Sequence, residues 1–211
     1  MRTQSLAGRF HLGASSLCLA AALCVAAMLG VSVAPARAAH FTIDPKADGN
    51  LVKFLSKAPA ESFEGKSKQI AGSIDIDPTA LGDSITVSVE VDVMTLDTGL
   101  ALRNTHMREN HLEPKKYPKI RFTGATLLAG HPGSLTSGQT ASLNIAGTFD
   151  LHGVARRIEV PVEVTWDQAE KSLHVVANFQ VKLSDYQIAR PQFLVMKLDE
   201  VQRITFDVTA R

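Results

Sequence analysis

Apolar and polar residues alternate along most of the chain from residue 41 onward. The clearest case is the run from Ile85 to Val93, in which five β-branched apolar residues occupy every second position. A period of two places these side chains on one face, so the run predicts a half-buried antiparallel strand. Weaker alternation predicts further strands at Phe41 to Ile43, Leu51 to Leu55, Ile70 to Asp77, Lys119 to Leu127, Ala141 to Leu151, Ile158 to Trp166, Leu173 to Leu183 and Arg203 to Thr209.

A single segment interrupts this pattern with helical spacing. From Thr98 to His111, the side chains of Leu100, Met107 and His111 recur at helical intervals, and Thr98 is a candidate N-cap. We therefore predict one short helix at about 98–111. Strands that follow one another through turns favour an all-β fold with an antiparallel barrel or sandwich, and a barrel of about eight strands can hold one small ligand.

The first 39 residues have a different character. They contain no acidic residue, and Arg2 and Arg9 precede an apolar run from Leu12 to Val33. Small residues at Ala36 and Ala38 follow, as at a signal peptidase site, so 1–38 is predicted to be a signal peptide cleaved after Ala38 or Ala39. The competing interpretation is an uncleaved membrane anchor, since the run is long enough to span a bilayer. Export predicts a periplasmic protein whose single domain occupies 40–211.

Composition narrows the function classes. The chain has two cysteines, Cys18 and Cys24, and both leave with the predicted signal peptide. The mature chain then has no thiol for a disulfide, a thiolate nucleophile or Cys-ligated zinc. Three arginines also leave, so the 22 basic residues fall to 19 against 21 acidic ones. Near-zero net charge without a basic cluster argues against nucleic acid as a partner.

No residue pattern in the mature chain points to catalysis or to a metal. His106 and His111 come nearest to a cluster, but five positions apart they lie on different faces of a regular helix, unlike the i, i+4 pair of a metal site. The sequence also lacks a Gly-x-Ser-x-Gly elbow, a phosphate-binding loop and a dinucleotide fingerprint. We therefore assign no catalytic residue, no metal site and no cofactor.

The bulky apolar side chains on the predicted strands have two interpretations. They can form a packed core, or the inward positions of a barrel can line an elongated apolar cavity. Periodicity does not separate these two. The residues that we predict to line such a cavity are Phe54, Phe63, Ile74, Val89, Phe122, Phe149 and Phe179.

Several motifs in fixed order resemble the YceI family of exported lipid-binding proteins. They are Leu96-Asp97-Thr98-Gly99, Arg103-Asn104-x-His106-Met107-Arg108, Tyr117-Pro118-x-Ile120-x-Phe122 and Gly147-x-Phe149-x-Leu151-His152-Gly153-Val154. The resemblance covers about Phe41 to Thr209. It implies a lipocalin-like, eight-stranded antiparallel barrel that binds a polyisoprenoid or another long-chain amphiphile without catalysing a reaction.

The resemblance and the residues together give the functional expectation. The protein should bind or carry a polyisoprenoid, quinone or fatty-acid-like lipid, and its head-group candidates are Arg103, Asn104, His106 and Tyr186. An equally open role for Arg103 is structural, through a bond to a carbonyl or carboxylate. Two other functions stay open: a packed barrel without ligand, acting in structure, stress protection or interaction, and a lipid-modifying enzyme that uses Tyr186 or a histidine. A membrane redox protein and a second copy of the chain are the candidate protein partners.

Overall fold

Twelve strands and one short α-helix make up the part of the chain that the structure describes. The structure is a computed structural model, and it describes residues 38–57, 62–82, 84–193 and 196–211. Helix α1 spans Ala101–Met107. The strands are β1 (Ala39–Ile43), β2 (Leu51–Lys57), β3 (Ser62–Ser67), β4 (Ile70–Ile76), β5 (Ser84–Asp92), β6 (Lys119–Leu127), β7 (Thr140–Leu151), β8 (Val154–Asp167), β9 (Ser172–Lys182), β10 (Gln192–Phe193), β11 (Met196–Lys197) and β12 (Val201–Ala210). The predicted signal peptide lies outside the described residues.

Strand β5 shows how the alternating pattern becomes structure. Thr86 and Ser88 face outward and are exposed. The strand ends at Asp92, whose carboxylate accepts a hydrogen bond from the backbone N–H of Met94 at 2.8 Å and so caps a 3-10 turn at Val93–Thr95. The predicted strand is confirmed, although its last apolar residue belongs to the turn. Its buried side chains are Ile85, Val87, Val89 and Val91.

Ten of the strands form one curled antiparallel sheet. Their order is β1-β4-β5-β6-β7-β8-β9-β12-β2-β3, and every pairing is antiparallel. At one edge, Thr42 of β1 exchanges two backbone hydrogen bonds with Arg211, at 2.6 and 2.9 Å. At the other edge, Lys66 of β3 exchanges two with Asp97, both at 2.9 Å. One edge of the sheet therefore meets the residue that follows β12 and the other meets the segment before α1, and the curled sheet has the form of a half-barrel.

The predicted all-β fold is confirmed, but the sheet has ten strands where eight were expected. The two predicted opening strands, at Phe41–Ile43 and Leu51–Leu55, both form, and the loop after Ile43 leads them to different partners: β1 pairs with β4 and β2 pairs with β12. Buried Asn50 holds this loop, because its amide donates to the carbonyl of Asp44 and accepts from the N–H of Thr209, both at 3.0 Å. Within the ten-stranded sheet, the strand that the alternating pattern did not predict is β3, which has a single large apolar residue, Phe63, and therefore gives no alternating signal.

The predicted helix forms, but it begins later than expected and changes from α-helical to π-helical geometry after Met107. Thr98 is not its N-cap, since Gly99 turns the chain with a φ of 80° and helix α1 starts at Ala101. After Met107 the helix widens into a π-turn at Arg108–Leu112. A π-turn bonds residue i to i+5, so residues five apart come to the same face. The expectation that His106 and His111 lie on different faces is therefore wrong, as the next section shows.

Candidate functional site

The concave face of the sheet encloses a cavity of about 730 Å³. This volume lies within the range of about 300–1,000 Å³ that small-molecule sites occupy. The wall is almost wholly apolar and draws on strands β2 to β9 and β12, on α1 and on the segment between β9 and β12. Along β9, every second residue borders the cavity from Leu173 to Val181, a distance of about 26 Å at about 3.3 Å per residue. The cavity is therefore elongated.

Aromatic rings form much of this wall. Phe54 and Phe63 meet edge to face with centroids 6.4 Å apart, and Phe149 and Phe179 do so at 5.6 Å. Ile74 is buried on β4 and also borders the cavity. All seven residues predicted to line a cavity border it: Phe54, Phe63, Ile74, Val89, Phe122, Phe149 and Phe179. Their contact with a ligand stays a prediction.

Two glycines give the rings of the wall their positions. A Cβ atom at Gly65 would overlap the ring of Phe54, and one at Gly147 would overlap the ring of Phe122. The register of β6 against β7 also shifts at Gly124, a bulge residue with a φ of 61°. The rings can therefore lie flat against the neighbouring strand only because these positions lack a side chain.

Helix α1 lies at one end of the cavity. Strands β2, β5 and β9 run in the same direction, because each pairing between them and their neighbours is antiparallel. The ends of these strands, and the segments that follow them, therefore lie at one rim. Leu100 and Leu102 border the cavity at this rim and are 56% and 71% exposed. Ile188 and Leu198, from the segment after β9, border the cavity as well.

Arg103 borders the cavity at the same rim. Its Nη2 donates to the carbonyl oxygen of Thr98 at 2.7 Å, and its Cζ lies 4.2 Å from the ring centroid of Phe63. A guanidinium at this distance from a ring makes a cation–π interaction. Arg103 therefore links the start of the helix to β3, which is the structural role left open by the sequence. Its guanidinium also places a positive charge at the rim of the cavity.

Asn104 does not reach the cavity. Its Oδ1 accepts hydrogen bonds from the N–H and the hydroxyl of Thr98, at 2.8 and 2.7 Å, and its Nδ2 donates to Asp97 at 2.7 Å. These bonds turn the side chain toward the loop before α1, and the carboxyl of Asp97 has a lowered pKa, chiefly because Asn104 donates to it. A head-group role for Asn104 is therefore replaced by a loop-stabilising one.

Tyr186 does not border the cavity either. It is 2% exposed and packs behind Phe149 of the wall, whose ring it meets edge to face with centroids 5.7 Å apart. Burial raises the pKa of its phenol. The 3-10 turn Leu183–Tyr186 places this ring behind the wall. The assignment of Tyr186 to the head group is thus wrong in geometry.

His106 and His111 both border the cavity. The π-turn between them brings the two rings to the same side, where the charge of His106 helps to lower the pKa of His111. Burial is the larger cause of this lowered pKa, and a contact of 3.1 Å between Nδ1 and the carbonyl oxygen of Ala189 opposes it. The described lining therefore has four titratable side chains and no carboxylate: Lys53, Arg103, His106 and His111.

Two polar residues of the wall that are more than nine-tenths buried were not predicted from the sequence. Ser56 and Gln202 border the cavity although they are only 2% and 6% exposed. A signal was present, since Ser56 shares its strand face with Val52 and Phe54 by the period of two. Both were missed because the search for lining residues considered bulky apolar side chains alone.

The described residues contain no group of three or more His, Cys, Asp or Glu side chains that could hold a metal ion. Within the same ranges, none of the helices is long and apolar enough to cross a membrane.

Comparison with known proteins gives the family. The family model of the YceI-like domain matches residues 41–210. No curated protein matches the sequence.

Three solved structures share the fold. BcnA of Burkholderia cenocepacia is 19% identical, with a TM-score of 0.63, over 77% of this chain and 96% of that one. A polyisoprenoid binding domain from Saccharophagus degradans is 17% identical, with a TM-score of 0.60, over 83% and 99%. The YceI protein of Campylobacter jejuni is 19% identical, with a TM-score of 0.53, over 69% and 82%. With the domain match over 41–210, the chain belongs to the YceI-like family.

Proposed function

We propose that this protein binds and carries a polyisoprenoid or another long-chain amphiphilic lipid in the cavity of its half-barrel. The observation that carries the proposal is the elongated cavity of about 730 Å³ with an almost wholly apolar wall. The similarity in fold to a polyisoprenoid binding domain supports the same ligand class. A solidly packed interior, the alternative left open by the sequence, does not agree with a cavity of this size.

The apolar wall can supply the affinity by itself. Each methylene transferred from water to an apolar site contributes about 0.8 kcal/mol, so ten methylenes contribute about 8 kcal/mol before the entropic cost of association is subtracted. Insolubility in water also makes a protein carrier necessary for such a molecule outside a membrane. No step of this function needs a chemical reaction.

The lining favours binding over catalysis. Tyr186, one of the acid–base candidates for an enzyme on this barrel, lies behind the wall, and the described lining offers no carboxylate as its partner. His106 and His111 remain as candidate acid–base groups at the rim. An assay of the bound lipid before and after prolonged incubation tests this alternative, and an unchanged lipid supports a carrier.

Location and protein partners follow from the proposed role. A signal peptide at 1–38 would deliver the carrier to the periplasm, where it could shield a lipid between two membranes. A membrane redox protein fits a quinone cargo, and the exposed strand faces allow a homodimer. Gel filtration with light scattering measures directly whether the protein forms a homodimer.

Displacement of an apolar fluorophore tests the function. The protein, expressed from the 211-residue sequence, is loaded with N-phenyl-1-naphthylamine and titrated with a polyisoprenol. We expect saturable displacement with one site per chain. Absence of fluorophore binding and of displacement would contradict the proposal and favour a protein whose interior takes no ligand.

A further inference from the structure

The apolar cavity contains one buried pair of neutral polar side chains. The register of β12 against β2 pairs Arg203 with Leu55, and one further residue along the strands brings Gln202 opposite Ser56. Phe63 pairs with Ser56 on the next strand. Both Ser56 and Gln202 border the cavity and are more than nine-tenths buried.

Each side chain of this pair keeps hydrogen-bonding capacity that the protein does not use. Gln202 donates from Nε2 to the carbonyl of Asp199 at 2.6 Å, which fixes the orientation of the amide. Its Oε1 accepts no hydrogen bond from the described residues, and none of them bonds to the hydroxyl of Ser56. Neither oxygen is among the fully buried polar atoms without a partner in the described residues, so both are open to the cavity, where water or a ligand can bond to them.

The pair lies at the end of the cavity that a polar head group would occupy. Phe63, the strand neighbour of Ser56, is the ring under the guanidinium of Arg103 at the rim. Strand β2 ends at Lys57, one residue after Ser56, and strand β12 begins at Val201, one residue before Gln202. A lipid whose chain fills the elongated part of the cavity would therefore place its head group beside this pair.

We infer that Ser56 and Gln202 form a subsite for an uncharged, hydroxyl-bearing head group, such as that of a long-chain alcohol or isoprenol. This inference rests on the lipid-binding function proposed above. A hydroxyl donates one hydrogen bond and accepts others, so it satisfies Gln202 Oε1 and the Ser56 hydroxyl together. A carboxylate or a dianionic phosphate is a worse match for the pair itself, because it has no proton for Oε1. Its charge would be met by Arg103 at the rim and not by Ser56 or Gln202.

A series of four lipids with the same alkyl chain and different head groups tests the subsite. Hexadecanol, its methyl ether, hexadecanoate and hexadecyl phosphate are compared by displacement of N-phenyl-1-naphthylamine. We expect the wild-type protein to bind hexadecanol most tightly. The double variant Ser56→Ala, Gln202→Met should bind hexadecanol about tenfold more weakly and the methyl ether nearly as well as the wild type does, since each neutral hydrogen bond contributes little more than a severalfold factor.

A matched control separates the subsite from a general effect of the substitutions. The double variant Ser88→Ala, Gln180→Met makes the same changes at exposed positions of β5 and β9. It should keep the wild-type affinities for all four probes. Urea unfolding of each variant verifies folding, and Ser56→Ala alone, which removes one oxygen, should still show about a threefold loss for hexadecanol.

The outcomes separate this inference from the proposed function. Wild-type protein that binds the four probes equally, or that prefers the phosphate, overturns the subsite and leaves the carrier function intact. Unchanged affinity of the Ser56 and Gln202 variants for hexadecanol also overturns it. Wild-type protein that binds none of the probes contradicts the carrier function and the subsite together.

Discussion

Replacement of Val89 by threonine should weaken lipid binding while it leaves the fold intact. Val89 is buried in the middle of β5, borders the cavity, and lies opposite Gly72 on one neighbouring strand and Phe122 on the other. Threonine has the same shape and is equally suited to a strand, so the volume of the cavity does not change. The substitution therefore exchanges one methyl group of the wall for a hydroxyl.

The magnitude follows from desolvation. In the empty cavity the hydroxyl of Val89→Thr can meet water, but a bound alkyl chain removes that water without offering a hydrogen bond. Burial of an unpaired hydroxyl costs about 1–3 kcal/mol in proteins. At about 1.4 kcal/mol per factor of ten, the dissociation constant for a polyisoprenol should rise about 5-fold to about 140-fold.

Val176→Thr is the matched control. Val176 lies on β9, pairs with Glu163 and Asp207, and does not border the cavity. Fluorophore displacement gives the two dissociation constants, and urea unfolding verifies that both variants fold. Wild-type affinity in Val89→Thr, or an equal loss in both variants, would refute the assignment of Val89 to the binding wall.

Three further predictions concern the frame of the site. Gly147→Ala should lower the free energy of unfolding by about 1–3 kcal/mol in urea, because the added Cβ overlaps the backbone carbonyl oxygen of Gly124 and the ring of Phe122. Gly133→Ala, with open space around it, should change this free energy little. Arg103→Ala should lower it by about 1–2 kcal/mol, since the bond to the carbonyl of Thr98 and the cation–π contact are lost together; an unchanged value would refute the structural role. Burial lowers the pKa of His111 below its ordinary 6.5, so the unfolded chain takes up a proton at this residue before the folded chain does as the pH falls through 6.5. The free energy of unfolding should therefore fall on acidification. His111→Gln should reduce that fall, as measured by urea titrations from pH 7.5 to about 5.

The strands were predictable where one face is buried and the other meets solvent. In β5 this condition holds from Ile85 to Val91, so alternation alone identifies it. In β3 it does not, because Gly65 and small or charged residues surround Phe63, and the strand depends on its partner β2. The ten-stranded order likewise depends on pairings between distant segments, which no local pattern encodes.

The candidate site was predictable in its apolar part and not in its polar part. Bulk and strand phase identified seven wall residues, but the same phase cannot tell a packed interior from a cavity, since that depends on the curl of the whole sheet. The direction of the rim side chains depends on Gly99 and on the π-turn after α1. These local departures from a regular helix turned Asn104 away from the cavity and brought His111 to it.

Native mass spectrometry of the protein purified from cells, followed by organic extraction and identification of what leaves it, tests the central claim most directly. A carrier should retain one long-chain lipid per chain, and the extract should contain an isoprenoid, quinone or fatty-acid-like molecule in equal amount to the protein. A mass equal to that of the polypeptide alone, unchanged after incubation with such lipids, would contradict the claim that the cavity is a lipid-binding site.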